Sequence, residues 1–230
     1  MTREAFHEAL ERVELDLLTL GELAGVSVRR AVDAAVDRDD GLARAVIDGD
    51  DEIDVKFLQI DTDLLSMLAL QSPVAGELRL VSAILHSAPH LERIGDQAVN
   101  VAKIHLATSQ LPGSDAMRRQ LREMGDIVVG MIRTAMEAFA KRDLALCRRL
   151  PAMDDPVDRL NRATHLEALK LADDPAALDW GMHMNMAARA LERVGDNAVD
   201  IAEQVGYLVT GEFHEYTDAT HGAAEGLPGG

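Results

Sequence analysis

Thirteen consecutive residues, Leu91 to Lys103 (LERIGDQAVNVAK), return 100 positions later as Leu191 to Glu203 (LERVGDNAVDIAE), with eight identities. A block repeated at a fixed offset marks a chain built from two copies of one unit. The duplication extends to Asp50-Asp51-Glu52-Ile53-Asp54 and Asp154-Asp155-Pro156-Val157-Asp158, which are 104 residues apart. Arg38-Asp39 and Arg142-Asp143 share that second offset. The change from 104 to 100 makes the second copy four residues shorter between its acidic segments. Two units are therefore expected, residues 1–110 and 111–212. A tail follows over 213–230, ending in a Gly-rich run that is expected to be disordered.

The apolar spacing within each unit is helical. Phe6, Leu10, Val13, Leu17, Leu20, Ala24, Ala31 and Ala35 fall at intervals of three, four and seven, the seam of one long packed helix. A second helix is expected over 42–70 and a third from Ser72-Pro73 to about Ser109, with Ser72 as N-cap. The second copy predicts a fourth helix from Ser114-Asp115 to Lys141, a fifth stopping before Asp173, and a sixth over Pro175–Thr210. No run of alternating β-branched residues competes with this reading. The fold class is all-α: two tandem, pseudo-symmetric antiparallel three-helix bundles. Aromatics are only 3% of the chain, so Ala, Leu, Val and Met must fill the core, which suits close helix packing.

Charge narrows the functional classes. The formal net charge is −17, with 40 acids spread along the whole chain. A nucleic-acid backbone needs a basic face, so no nucleic-acid partner is expected. Cations, or a protein with a basic patch, suit the balance better. Cys147 is the lone cysteine, which points to a reducing compartment. The first residues carry acids where a secretory signal needs an apolar run. The uncharged stretch Leu64 to Gly76 has 13 residues, short of the roughly 20 that span a bilayer. The expectation is a cytoplasmic protein without membrane insertion.

The acids form ordered pairs. Each copy holds two at helical i, i+4 spacing: Asp50 with Asp54 and Glu92 with Asp96, then Asp154 with Asp158 and Glu192 with Asp196. Asn100 and Asp200 extend the second row of each copy by one more turn. On the third helix Ile84, Ala88, Leu91, Gly95, Ala98 and Ala102 make an apolar seam, and Glu92 and Asp96 stand about 80° and 120° from it. The small residues of this seam and of its copy around Gly195 predict that the third and sixth helices lie against each other. If the second helix lies beside the third, four carboxylates converge. Like charges at i, i+4 cost roughly 0.2–0.5 kcal/mol per pair, and a bound cation would offset that. All-oxygen donors suit magnesium, manganese or ferric iron. The bland alternative is that Arg93, Arg193, Lys56 or Arg159 neutralise these acids in surface pairs.

Other constellations are weaker. His86 and His90 share i, i+4 spacing, but their counterparts are Met186 and Ala190, so surface histidines are expected. Met182, Met184 and Met186 fall on different helix faces and read as core filling. A ferritin-like di-iron centre needs Glu-x-x-His on two helices, and only Glu4 and His7 match.

The duplicated motif, together with Leu70 to Leu80 (LQSPVAGELRL) and the Asp50–Asp54 segment, resembles the PhoU family of phosphate-uptake regulators over residues 4–212. The resemblance implies the same six-helix fold. It also implies negative regulation of phosphate uptake and of the phosphate-starvation response, through contact with the ATPase subunit of a phosphate ABC transporter and with a sensor histidine kinase. A homodimer is expected. Some members of the family hold iron or zinc through such acid pairs, which would place ligands at Asp50, Asp54, Glu92, Asp96, Asp154, Asp158, Glu192 and Asp196, with Asn100 and Asp200 beside them. No organic cofactor and no catalytic residue are expected. Two prolines depart from the pattern: Pro89 threatens to kink the third helix, and Pro156 to leave Asp154 ahead of the fifth. A metal-free adaptor with an acidic docking face and a metal-dependent phosphohydrolase are the alternatives.

Overall fold

A computed structural model describes residues 2–71 and 73–216. These residues form eight helices and no strand: α1 (Arg3–Asp37), α2 (Asp40–Asp48), α3 (Asp50–Leu70), α4 (Ala75–Thr108), α5 (Asp115–Lys141), α6 (Leu144–Cys147), α7 (Leu150–Leu169) and α8 (Pro175–Thr210). The all-α class expected from the spacing is the one observed. Thr2 caps α1, Ser114 caps α5 and Asp174 caps α8, each side chain accepting a backbone N–H of the first turn.

The repeated Arg-Asp pair sits at the same turn in both halves. Arg38 and Arg142 are left-handed, at φ 62° and 54°, and each is followed by an Asp that caps the next helix. A left-handed non-glycine residue costs about 1–2 kcal/mol, and here the side chains hold the turn. Arg38 donates to the Ser109 and Leu111 carbonyls, while Arg142 reaches Glu14 Oε1 at 2.8 Å.

Two expected long helices are each split. The chain breaks at Gly49, whose N–H caps the Ala45 carbonyl at 3.1 Å, separating α2 from α3. It breaks again at Arg148-Arg149, because Pro151 lacks an N–H and belongs in a first turn. The third helix begins at Ala75 rather than Pro73: Glu77 Oε2 accepts the Val74 N–H at 2.9 Å and sets its start. Ser72, the expected cap, lies outside the described residues. So does 217–230, most of the expected tail. Of the tail residues described, Tyr216 donates its N–H to Glu203 Oε1 at 2.6 Å and packs against the core.

Helices α1, α3 and α4 pack on one another, as do α5, α7 and α8, and the two sets meet through α1–α5 and α4–α8. One continuous apolar cluster runs through both, from Phe6, Leu17 and Leu20 to Leu91, Met124, Phe139 and Leu191. The α1–α5 contact is reciprocal. A methyl on Gly21 would stand 2.6 Å from Met136 Cγ, and one on Gly125 2.7 Å from Val32 Cγ1. Gly21 and Gly125 are 104 residues apart, and so are Val32 and Met136. Each helix thus offers its glycine to the other's bulky side chain, the signature of an interface about a local two-fold axis.

Candidate functional site

The glycine of each repeated motif decides where the acids go. A methyl at Gly95 would lie 2.9 Å from Ile53 Cδ1 and 3.5 Å from Asp50 Oδ1. A methyl at Gly195 would collide with Asp154 Oδ1. Helices α4 and α8 do pack together, but these glycines face α3 and α7 instead. They let each acid-bearing helix close on its neighbour and lay an aspartate over the helix surface. The expected contact of the third and sixth helices is present, but these two glycines serve the packing of the acid-bearing helices rather than that contact.

In the first half the acids share one field. Asp50 is held above the usual carboxylate range by burial first, then by repulsion from Asp54 and Asp96, with Lys103 pulling the other way. Glu92 is pushed up by burial, then by Asp96 and Asp54, with Arg93 opposing. Asp54 and Asp96 are exposed, while Asp50 and Glu92 are half-buried. Lys56, a candidate neutraliser, is engaged elsewhere, 2.8 Å from Asp16. Asn100 turns to its own helix, donating to Gln97 Oε1 at 3.4 Å.

The second half is wired differently. Asp154 is 5% exposed and lies inside α7, which runs continuously through Pro156. The expectation that this proline leaves Asp154 ahead of the helix is thus corrected: four residues of helix, Leu150 to Met153, precede Asp154. Pro89 likewise leaves α4 unbroken. Asp158 lies 3.6 Å from Arg162 and Glu192 3.2 Å from Arg189, two arginines that the sequence reading did not name. Asp196 remains on the exposed flank of α8. Asp200 leaves its row and approaches His90 of α4, at 3.3 Å.

His90 is the residue that sequence reasoning misplaced. Rather than a surface group, its half-buried ring ties α4 to α8, with Nδ1 2.8 Å from Asn197 Oδ1. His86 behaves as expected, exposed and bonded to the Ser82 carbonyl of its own helix. Its counterpart in the repeat, Ala190, is buried, so the two positions are used differently in the two halves.

As placed, no three His, Cys, Asp or Glu side chains among the described residues come together closely enough to hold a metal ion. The donor set of the first half nevertheless fits a hard cation in kind. It is all oxygen and it repels itself.

Comparison with known proteins bears on the family and the fold. The PhoU domain family model matches residues 17–104 and again 121–205. The phosphate-specific transport system accessory protein PhoU homolog of Pseudomonas aeruginosa is 36% identical, covering 95% of this chain and 88% of that one. The homolog of the same name from Caulobacter vibrioides is 31% identical over 92% of each. Among solved structures, PhoU from Pseudomonas aeruginosa superimposes with a TM-score of 0.85 at 36% identity, covering 90% of this chain and 100% of that one. The phosphate transport system regulatory protein PhoU from Streptococcus pneumoniae gives 0.82 at 28%, covering 91% and 99%.

Proposed function

Because this chain belongs to the PhoU family, we propose that it represses phosphate uptake and the phosphate-starvation response by touching other proteins rather than by turning over a substrate. Its relatives are named as accessory proteins of phosphate-specific transport, and an accessory, regulatory role in phosphate transport follows for this chain. The partners are the ATPase subunit of a phosphate ABC transporter and a sensor histidine kinase, met in the cytoplasm by a homodimer. No helix among the described residues is long and apolar enough to cross a membrane, which accords with docking against a membrane complex from one side. The observation that carries this reading is the match to both copies of the unit. Deleting the gene should raise phosphate-starvation transcripts several-fold in phosphate-rich medium. Unchanged transcripts in a strain lacking any paralogue would sink the proposal.

Metal belongs to the same reading. Asp50, Asp54, Glu92 and Asp96 would hold a hard cation in the first half, and Asp154, Asp158, Glu192 and Asp196 one in the second. The bound ion would relieve the repulsion that raises Asp50 and Glu92. A ligand that binds only the folded chain raises its melting temperature. Wild type should therefore melt higher with manganese, iron, zinc or magnesium, and E92Q/D96N should respond less. If none of the four ions moves the wild-type melting temperature, the acids are a docking face for a basic partner instead.

A further inference from the structure

A cavity beside the acid pairs of the second half carries a charge opposite to that of the chain. A groove of about 920 Å³ runs along α8 between α4 and α7. Lys103, Arg162, His165, Arg189 and Arg193 line it, four fixed positive charges in a protein of net charge −17. The positions matching these five by the repeat offsets of 100 and 104 are Glu203, Leu58, Asp61, Pro89 and Arg93. One cation and two acids stand there, so the basic character belongs to this groove and is not inherited from the repeated frame.

Its floor is apolar. Ile104, Leu166, Met186 and Ala190 line it, with Leu166 60% and Met186 58% exposed. An apolar centre with methionine, bordered by arginines, is the composition of a protein-docking surface. The internal acids do not cancel the rim. Arg162 and Arg189 are 67% and 61% exposed in their pairs with Asp158 and Glu192, and such exposed pairs contribute little and exchange readily. Asp50 of α3 also feels the charge of Lys103.

We propose that this groove seats an acidic amphipathic helix of a partner protein. From Asn185 to Arg193 the floor spans nine residues of α8, about 12 Å, which accepts about two turns. The apolar face of the guest would lie on Met186 and Leu166, and its acids would meet Arg162, Arg189, Arg193 and Lys103. The inference rests on the contact-based function proposed above and names the face that makes the contact.

The test uses the full chain and a labelled 18-residue synthetic helix with leucine on one face and glutamate on the other. Wild type should bind it, and more weakly as salt rises. R162E/R193E should bind it at least tenfold more weakly, while R12E/R119E, the same charge change elsewhere, should not. In the deletion strain, R12E/R119E should restore repression and R162E/R193E should not, with both variants melting as wild type does. Equal binding by R162E/R193E overturns the proposal. So does tripolyphosphate competing as well as the peptide, or a peptide with serine in place of leucine binding equally, since the groove would then be an anion site alone. If deletion leaves transcripts unchanged, the contact-based function fails. If deletion raises them and R162E/R193E still represses fully, only the groove fails.

Discussion

Glu92 carries its proton to higher pH than a free glutamate because burial and the neighbouring Asp96 and Asp54 all disfavour its charge. A carboxyl raised on folding binds more protons in the folded state, so stability falls as pH rises from the ordinary glutamate range through the folded value. E92Q should accordingly be more stable than wild type at pH 7–8 without metal, by about 0.4–1 kcal/mol if two like-charge pairs are relieved. That advantage should shrink as pH drops toward the ordinary range, read from urea melts at several pH values. His105 has the opposite sign. Burial lowers it below its ordinary 6.5, although Asp40, 3.0 Å away, and Asp39 pull it up, and Arg38 adds to the lowering. The unfolded chain takes up the proton first, so stability is full above the ordinary value and declines as pH falls through it toward the folded one. H105Q should lack this decline between pH 7 and 5. A parallel decline in both proteins would remove His105 as its source. The repulsion between Glu92 and Asp96 was legible in the sequence, but the burial of Glu92 and of His105 was not, because it depends on how the helices pack.

At the scale of elements, reciprocal glycines let α1 and α5 approach, and they predict an unequal pair of mutants. G125A drives a methyl into Val32, whose atoms would stand 2.7 and 2.8 Å away, and a β-branched side chain has few rotamers to escape into. G21A meets Met136, whose unbranched chain can turn aside. G125A should therefore lose about 1–3 kcal/mol, outweighing the roughly 1 kcal/mol that alanine adds to helix propensity. G21A should lose clearly less, both measured by chemical denaturation. Helix existence was readable from the spacing, since apolar periodicity and caps are local. The splits at Gly49 and Arg148-Arg149 were not, because the apolar pattern runs on across them. The role of Gly95 was half legible: its cost marked a close approach, but only the packing showed that α3, not α8, makes it.

For the whole molecule, one apolar cluster crosses from the first set of helices to the second, and it predicts cooperative unfolding. Calorimetric and van't Hoff enthalpies should agree, and two resolved transitions would show that the halves melt independently. Residues 1–110 and 111–212 are proposed as the two copies, and they should superimpose helix on helix in a crystal structure. The duplicated motif, the helical class and the resemblance to one family were all determined by the sequence alone, because repeats and 3.6-residue periodicity are written along the chain. Tertiary structure decided the rest: that Asp200 turns to His90, that Arg162 and Arg189 hold acids of the second half, and that three helices bring four cations to one groove. These are relations between faces of different helices. Each helix carries charge on several sides, and only the way its core face docks determines which of them meet.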